Sequence, residues 1–230
     1  MLEIIKNEDK FEAFRVEALT AEEIDAAVED GSLRSTLFSG GCFWGLDSYF
    51  GSLDGVIQTR VGYAGSPLDE PTYGELKGHA ETVRIYYDPY IITFRELLQE
   101  FASRYYNSRS VGQYRTLFFT SNEREKNEVE KVIKNLTGEN EPHPEIIDLD
   151  NEKGYFWSAE EHHQKYRLQR NKLFLPFVEQ ELGERWDEHS FATKLNASTE
   201  TDFDITPWVE TFSDKAKRIF LINWWVTLAI

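Results

Sequence analysis

The stretch "GHAETVRIYYDP", residues 78–89, decides how the chain folds. His79, Glu81, Val83, Ile85 and Tyr87 alternate with Ala80, Thr82, Arg84 and Tyr86. That period of two places each set on its own face of a β-strand. The face carrying Val83 and Ile85 is the one expected to be buried, and Glu81 falls on it. Upstream, "VIQTRVGYAG" (56–65) reads as a second strand that ends in a Gly-Ser-Pro loop reaching about Tyr73. Before it, Leu46, Tyr49, Phe50 and Leu53 recur at helical spacing from Cys42, and Gly55 closes that helix. "RSTLFS" (34–39) is a strand running into Gly40-Gly41.

Downstream, "TFRELLQEFASRYY" (93–106) opens with a Thr93/Glu96 capping box and carries Phe94, Leu97, Leu98, Phe101 and Tyr105 on one stripe. "RTLFFTS" (115–121) is a strand, "NEREKNEVEKVIKNLTG" (122–138) a helix and "PEIIDLD" (144–150) a strand. Ser158 with Glu161 reads as the start of a further helix, "SAEEHHQKYRLQRN" (158–171). The order β-α-β-β-α-β-α-β-α predicts an α+β sandwich of the split βαβ, ferredoxin-like kind, its helices packed on a mostly antiparallel mixed sheet. We expect an acidic N-terminal extension over 1–31, with a short helix in "TAEEIDAAVEDG", a catalytic domain over 32–176 and a C-terminal extension over 177–230 packed on that domain. Trp208, Phe212, Phe220, Trp224 and Trp225 would cover an apolar patch there.

A net charge of −16 argues against nucleic acid or an anionic membrane as partner. No apolar run reaches the roughly 18 residues needed to span a bilayer. The first residues lack the regions of a signal peptide, so a cytoplasmic protein is expected; a monomer is expected as well. One cysteine forms no internal disulfide and no cysteine-rich zinc site, and no other cluster has ligand spacing, so neither a metal nor a bound cofactor is expected.

That cysteine, Cys42, follows two glycines and precedes Phe43 and Trp44 at a helix start. A lone thiol on the inward stripe of a helix is a small hydrophobe in its plainest reading. Against this, unpaired N–H groups and the positive end of the helix favour a thiolate, lowering its pKa by about one unit from ~8.5. Gly40 and Gly41 would let a ligand approach the backbone. Phe43 and Trp44 could line an apolar cup for a thioether methyl group. Glu81 reads equally as a buried acid with a raised pKa or as a structural carboxylate paired with His79 or a nearby arginine.

Six pieces in one order resemble the A-type peptide methionine sulfoxide reductases: "GCFWG" (41–45), "VGYAG" (61–65), "PTY" (71–73), "GHAETVRIYYDP" (78–89), "VGQYR" (111–115) and "FWSAEEHHQKY" (156–166). The resemblance implies that Cys42 attacks the sulfoxide sulfur and that Glu81 protonates the departing oxygen. Phe43 and Trp44 would hold the methyl group, and Tyr73 and Tyr114 would hydrogen-bond the oxygen. His162, His163, Gln164 and Tyr166 would support the site. The implied substrate is methionine (S)-sulfoxide, free or in an oxidised peptide or protein.

The chain departs from the family's pattern in a shorter loop between Tyr73 and Glu81, and in "RYYNS" where His-Asp-Pro often stands. Arg109 or Ser110 also replaces an aspartate ahead of Gln113-Tyr114. With no resolving cysteine, an external thiol reductant (thioredoxin, glutaredoxin, glutathione or similar) would have to reduce the Cys42 sulfenic acid. Two rival readings use the same residues: a catalytically degraded module that binds sulfoxides or peptides without turnover, and a thiol that senses peroxide.

Overall fold

Strand β3 (Ala80–Tyr87) lies between β1 (Arg34–Ser39) and β2 (Val56–Ala64) and pairs antiparallel with both. The two flanking strands are joined through helix α2 (Phe43–Gly51), so β3 splits a βαβ unit. β4 (Leu117–Thr120) adds antiparallel to β1, and β5 (Glu145–Asp148) adds parallel to β4. A short β6 (Trp157–Ser158) pairs with β2 on the other edge, giving the order β5-β4-β1-β3-β2-β6. The α+β, split βαβ arrangement expected from the sequence is the one found. The computed structural model describes residues 18–107, 110–137, 143–151, 154–209 and 217.

The alternation along β3 sorts its side chains as expected. Val83 and Ile85 join Phe38, Leu46, Phe50, Leu97, Leu98 and Phe101 in the core beneath α2 and α3 (Phe94–Arg104). Phe38 stacks on Phe101 with centroids 4.7 Å apart. Burying a side chain of this size contributes roughly 1.5–3 kcal/mol, which makes this layer the main support of the helix that begins at Phe43. On the opposite face, Leu37, Ala64, Ala80, Leu117 and Phe119 form a smaller cluster. There Tyr86 packs with Ile24 of α1 (Ala21–Glu29), a helix opened by the Thr20/Glu23 capping box. α3 opens on the same device at Thr93/Glu96, and α4 (Glu123–Leu136) is capped by the Asn122 side chain.

The helix predicted over 158–171 is not there as one piece. Ser158 belongs to β6, opposite Gly62, rather than to a cap. A single 3₁₀ turn follows at Glu161–His163, then Gln164 is extended and Lys165 is left-handed at φ 47° before α5 (Tyr166–Gln169). Two side chains explain the break. Gln164 inserts its amide like a strand residue, accepting from the Val61 N–H at 3.1 Å and donating to the Val61 carbonyl at 2.8 Å. Lys165 turns inward to a buried ion pair with Asp47 of α2, at 2.8 Å. Helical periodicity in a sequence cannot register such long-range polar contacts.

The remaining chain forms α6 (Phe174–Leu182), α7 (Ser190–Ser198) and α8 (Thr206–Val209). α7 lies along α2, where Thr193 meets the bare backbone of Gly51. Trp208 is buried with Leu168, Phe177, Phe191 and Leu195. Phe212, Phe220, Trp224 and Trp225 lie outside the described residues.

Candidate active site

The chemistry-bearing residues gather where β1 ends and α2 begins. Gly41 adopts φ +82°, a conformation that favours glycine, and space is open where its side chain would stand. Gly40 differs. A methyl group there would come within 2.8 Å of the Phe101 ring, so this glycine admits a core side chain rather than a ligand. Cys42 is the N-cap of α2 in extended conformation, and it is exposed, not on the inward stripe expected from the helical pattern. Phe43 begins the helix proper and is fully buried.

The expected lowering of the Cys42 thiol pKa is not what the structure gives. Although the residue is exposed, its sulfur is partly removed from water, and this desolvation pushes the thiol up; the nearby Glu81 carboxyl adds to it, while the N–H groups of Trp44 and Gly45 pull the other way. The helix start therefore acts in the expected sense but is outweighed.

Glu81 is 1% exposed on the β3 face below the first turn of α2. Its Oε2 accepts the Phe43 N–H at 2.9 Å, and its Oε1 accepts the Gln113 Nε2 at 3.1 Å. Among the described residues no cation pairs with it; His79 instead donates Nε2–H to the Leu68 carbonyl at 2.6 Å. Burial pushes the Glu81 pKa up to about 7, against the two N–H donors that favour the ionised form.

Tyr73 and Tyr114 stand over this pair, 40% and 41% exposed. Despite the shorter loop that follows it, Tyr73 reaches the site. Its phenol is pushed up by burial and then by the nearby Glu81 carboxyl and Tyr114 phenol. Two anchors hold it there. Its N–H donates to Glu160 Oε1 at 3.0 Å, and its ring meets His163 with centroids 4.5 Å apart. Glu160 is itself fixed by the Tyr63 hydroxyl at 2.7 Å. Tyr114 is placed by its carbonyl, which accepts the Gly41 N–H at 3.1 Å.

Phe43 and Trp44 are neighbours, with centroids 6.2 Å apart, but in different settings. The Trp44 ring stacks flat on Tyr166 at 3.6 Å and 5°, and His163 is wedged 5.3 Å from Phe43 and 5.8 Å from Trp44. His163 is buried with no hydrogen bond to either ring nitrogen among the described residues, and burial pushes its pKa down. Neutral, it packs as one more ring of an aromatic wall. Of the two positions in the place of the missing aspartate, Ser110 braces its own loop. It donates to the Asn107 carbonyl at 2.8 Å and accepts the Thr116 N–H at 3.0 Å. Arg109 lies outside the described residues.

All six residues singled out from the sequence thus lie in one neighbourhood. Gln113, Glu160 and Tyr63 had no assigned part, although all three lie inside quoted pieces, "VGQYR", "FWSAEEHHQKY" and "VGYAG". No group of His, Cys, Asp and Glu capable of holding a metal occurs among the described residues.

A lone exposed thiol over a buried, proton-holding carboxyl, walled by aromatic rings and phenols, suits redox chemistry at sulfur. Comparison with known proteins agrees. The model of the peptide methionine sulfoxide reductase family matches residues 34–194, which makes the chain an oxidoreductase acting on sulfur groups. The chain belongs to the peptide methionine sulfoxide reductase family. Peptide methionine sulfoxide reductase A5 of Arabidopsis thaliana is 34% identical over 175 residues, covering 73% of this chain and 68% of the relative. A peptide methionine sulfoxide reductase of Drosophila melanogaster is 41% identical over 143 residues, covering 59% of this chain and 56% of its own length. Among solved structures, methionine sulfoxide reductase A of Corynebacterium diphtheriae superposes with a TM-score of 0.50 at 25% identity, covering 61% of this chain and 76% of that one. Mxr1 from Saccharomyces cerevisiae in reduced form does so with a TM-score of 0.50 at 26% identity, covering 61% and 87%.

Proposed function

We propose that the protein reduces methionine (S)-sulfoxide, free or within a polypeptide, through a Cys42 sulfenic acid. One observation carries this reading: Glu81 lies buried beneath the N-cap cysteine with no cation paired to it among the described residues, and burial pushes its pKa up to about 7. The sulfoxide methyl group enters the cup of Phe43 and Trp44. Its oxygen meets the hydroxyls of Tyr73 and Tyr114 and the Glu81 carboxyl. The Cys42 thiolate attacks sulfur while Glu81 delivers its proton to the oxygen as charge develops there. The oxygen passes to the cysteine sulfur, and two electrons pass from that sulfur to the methionine sulfur. Methionine leaves and Cys42 remains as a sulfenic acid.

Cys42 is the chain's only cysteine, so an external thiol must complete the cycle. Two thiol groups become one disulfide, water is released and the Cys42 thiol returns. A reducing cytoplasmic setting, with thioredoxin, glutaredoxin or glutathione as donor and the protein acting as a monomer, fits this chemistry. Of the described residues, no helix is long and apolar enough to cross a membrane.

The test is a single turnover. A methionine (S)-sulfoxide peptide mixed with reduced protein and no added thiol should yield one methionine per chain and a dione-trappable sulfenic acid at Cys42. The Cys42→Ser variant should yield neither. Binding without methionine formation would identify a degraded module. A sulfenic acid formed with peroxide but not with sulfoxide would identify a sensor.

A further inference from the structure

The site face of the sheet continues past Glu81. In the antiparallel register Glu81 on β3 stands opposite Tyr63 on β2, and Tyr63 stands opposite Trp157 on β6. Directly paired residues project to the same face, so these three form one row, with Trp157 about two strand spacings, roughly 10 Å, from Glu81. Trp157 packs against the cluster of Phe43 and Tyr63, which ties its position to the cup beside Cys42. Its ring meets that of Tyr155 edge-on, with centroids 4.8 Å apart.

Beyond Trp157 opens a cleft of about 580 Å3 lined by Ser66, Pro67, Leu68, Asp69, Tyr155 and Trp157. Leu68 and Tyr155 are 55% and 60% exposed. The Asp69 carboxylate has no ion-pair partner among the described residues. Nearby, Lys77 donates its Nζ to the Asp69 backbone carbonyl at 3.1 Å, not to its carboxylate.

We propose that this cleft receives the side chain of a lysine or arginine in the polypeptide that presents methionine sulfoxide to Cys42, about three residues from the oxidised methionine. This rests on the reductase reading above. A substrate chain anchored at Cys42 has to leave across the neighbouring surface. At about 3.3 Å per extended residue, three residues cover the roughly 10 Å that separates Glu81, beneath Cys42, from Trp157. The cleft matches a long cationic side chain in each part. Leu68 and Pro67 take the methylene stem, the Tyr155 and Trp157 rings offer π faces to the cation, and Asp69 supplies the opposite charge. The net charge of −16 favours the approach of a basic segment over an acidic one.

The experiment compares acetylated, amidated peptides carrying methionine (S)-sulfoxide with Arg, Ala, Leu or Glu three residues before or after it, alongside free methionine sulfoxide. Turnover with excess dithiol is measured for the wild type, Asp69→Asn and Tyr155→Ser. Binding of the same peptides is measured by titration without dithiol on Cys42→Ser. The Arg peptide should exceed the Ala peptide in kcat/KM by roughly three- to tenfold, through KM, and bind more tightly by the same factor. In Asp69→Asn and Tyr155→Ser the advantage should shrink to within about twofold, while turnover of free methionine sulfoxide stays unchanged. Equal values for the Arg and Ala peptides, a preference for Leu over Arg, or an advantage that survives both substitutions would overturn the proposal. Absence of methionine from every substrate would instead sink the reductase reading, and the binding titration would still decide whether the cleft distinguishes Arg from Ala.

Discussion

Two carboxyl groups are buried against helix α2, and they are treated in opposite ways. Asp47, on the helix itself, faces the Lys165 ammonium at 2.8 Å and accepts the Thr59 hydroxyl at 2.5 Å and the Asn196 amide at 3.1 Å. Glu81, below the first turn, meets two neutral N–H donors and no cation among the described residues. Burial is alike, since Asp47 is fully buried and Glu81 nearly so. The difference lies in the counter-charge. A buried carboxylate given a cation and hydrogen bonds becomes a fixed structural part, whereas one denied a cation keeps its proton and can hand it on. Helix α2 therefore carries its anchor, Asp47, about one turn after Phe43, whose N–H meets the acid on β3. The anchor ties α2 to the 161–166 segment, which presents His163 to Phe43 and Tyr166 to Trp44, and to α7 through Asn196.

Exchanging the proton of Glu81 is the largest perturbation of this contrast. Glu81→Gln preserves volume and removes the acid, so turnover should fall by ~10²–10⁴-fold. Its effect on stability has the opposite sign. Folded, Glu81 keeps its proton up to about pH 7; unfolded, it loses it near 4.5. Folding therefore takes up a proton between those values, and the stability present below pH 4.5 is lost as pH rises through 7. At pH 8 Glu81→Gln should be more stable than the wild type, by an amount of the order of 1–3 kcal/mol in urea titrations.

The anchor should respond in the reverse manner. Lys165→Met strands the Asp47 carboxylate in the interior, and should cost about 3–5 kcal/mol of stability. Adding Asp47→Leu should recover most of that loss, and activity per folded molecule should fall far less than in Glu81→Gln. If the double variant stays as unstable as the single one, the ion pair is not what holds the left-handed turn at Lys165.

A smaller change sharpens the acid's side of the contrast. Thiolate attack with a protonated Glu81 requires one proton shared between the two groups. The kcat/KM profile should then rise through about pH 7 as Glu81 titrates in the free enzyme, and fall again as Cys42 ionises above its ordinary range. Gln113→Leu removes a donor that favours the ionised form, so the acid limb should move up by about one pH unit. An unmoved limb would show that Gln113 does not govern the Glu81 proton.

Much of this was legible in the residue order. Period-two alternation over 79–87 placed Glu81 on the Val83 and Ile85 face; that the opposite face, with Ala80 and Thr82, is buried as well was not legible, since it depends on packing from distant segments. The capping pairs Thr20/Glu23 and Thr93/Glu96 marked real helix starts because they are local devices. Where distant residues decide the backbone, local reading failed. Ser158-Glu161 imitates a capping box, yet Gln164 and Lys165 are drawn to Val61 and Asp47, roughly a hundred residues away in the chain. The thiol of Cys42 misled for a similar reason. Its helix start is visible in "GGCFWG", but the desolvation and the carboxyl that outweigh it come from elsewhere in the chain. Asn196 carried no signal at all, since its part is defined only by the packing of α7 on α2.

The central claim is that Glu81 is a proton-bearing acid at neutral pH, and infrared difference spectroscopy of the wild type against Glu81→Gln tests it most directly. The wild type should show the carbonyl stretch of a protonated carboxylic acid that is absent from the variant and disappears with a midpoint near pH 7. A band that titrates near 4.5, the ordinary value for a glutamate, would contradict the account and leave Glu81 a structural carboxylate like Asp47.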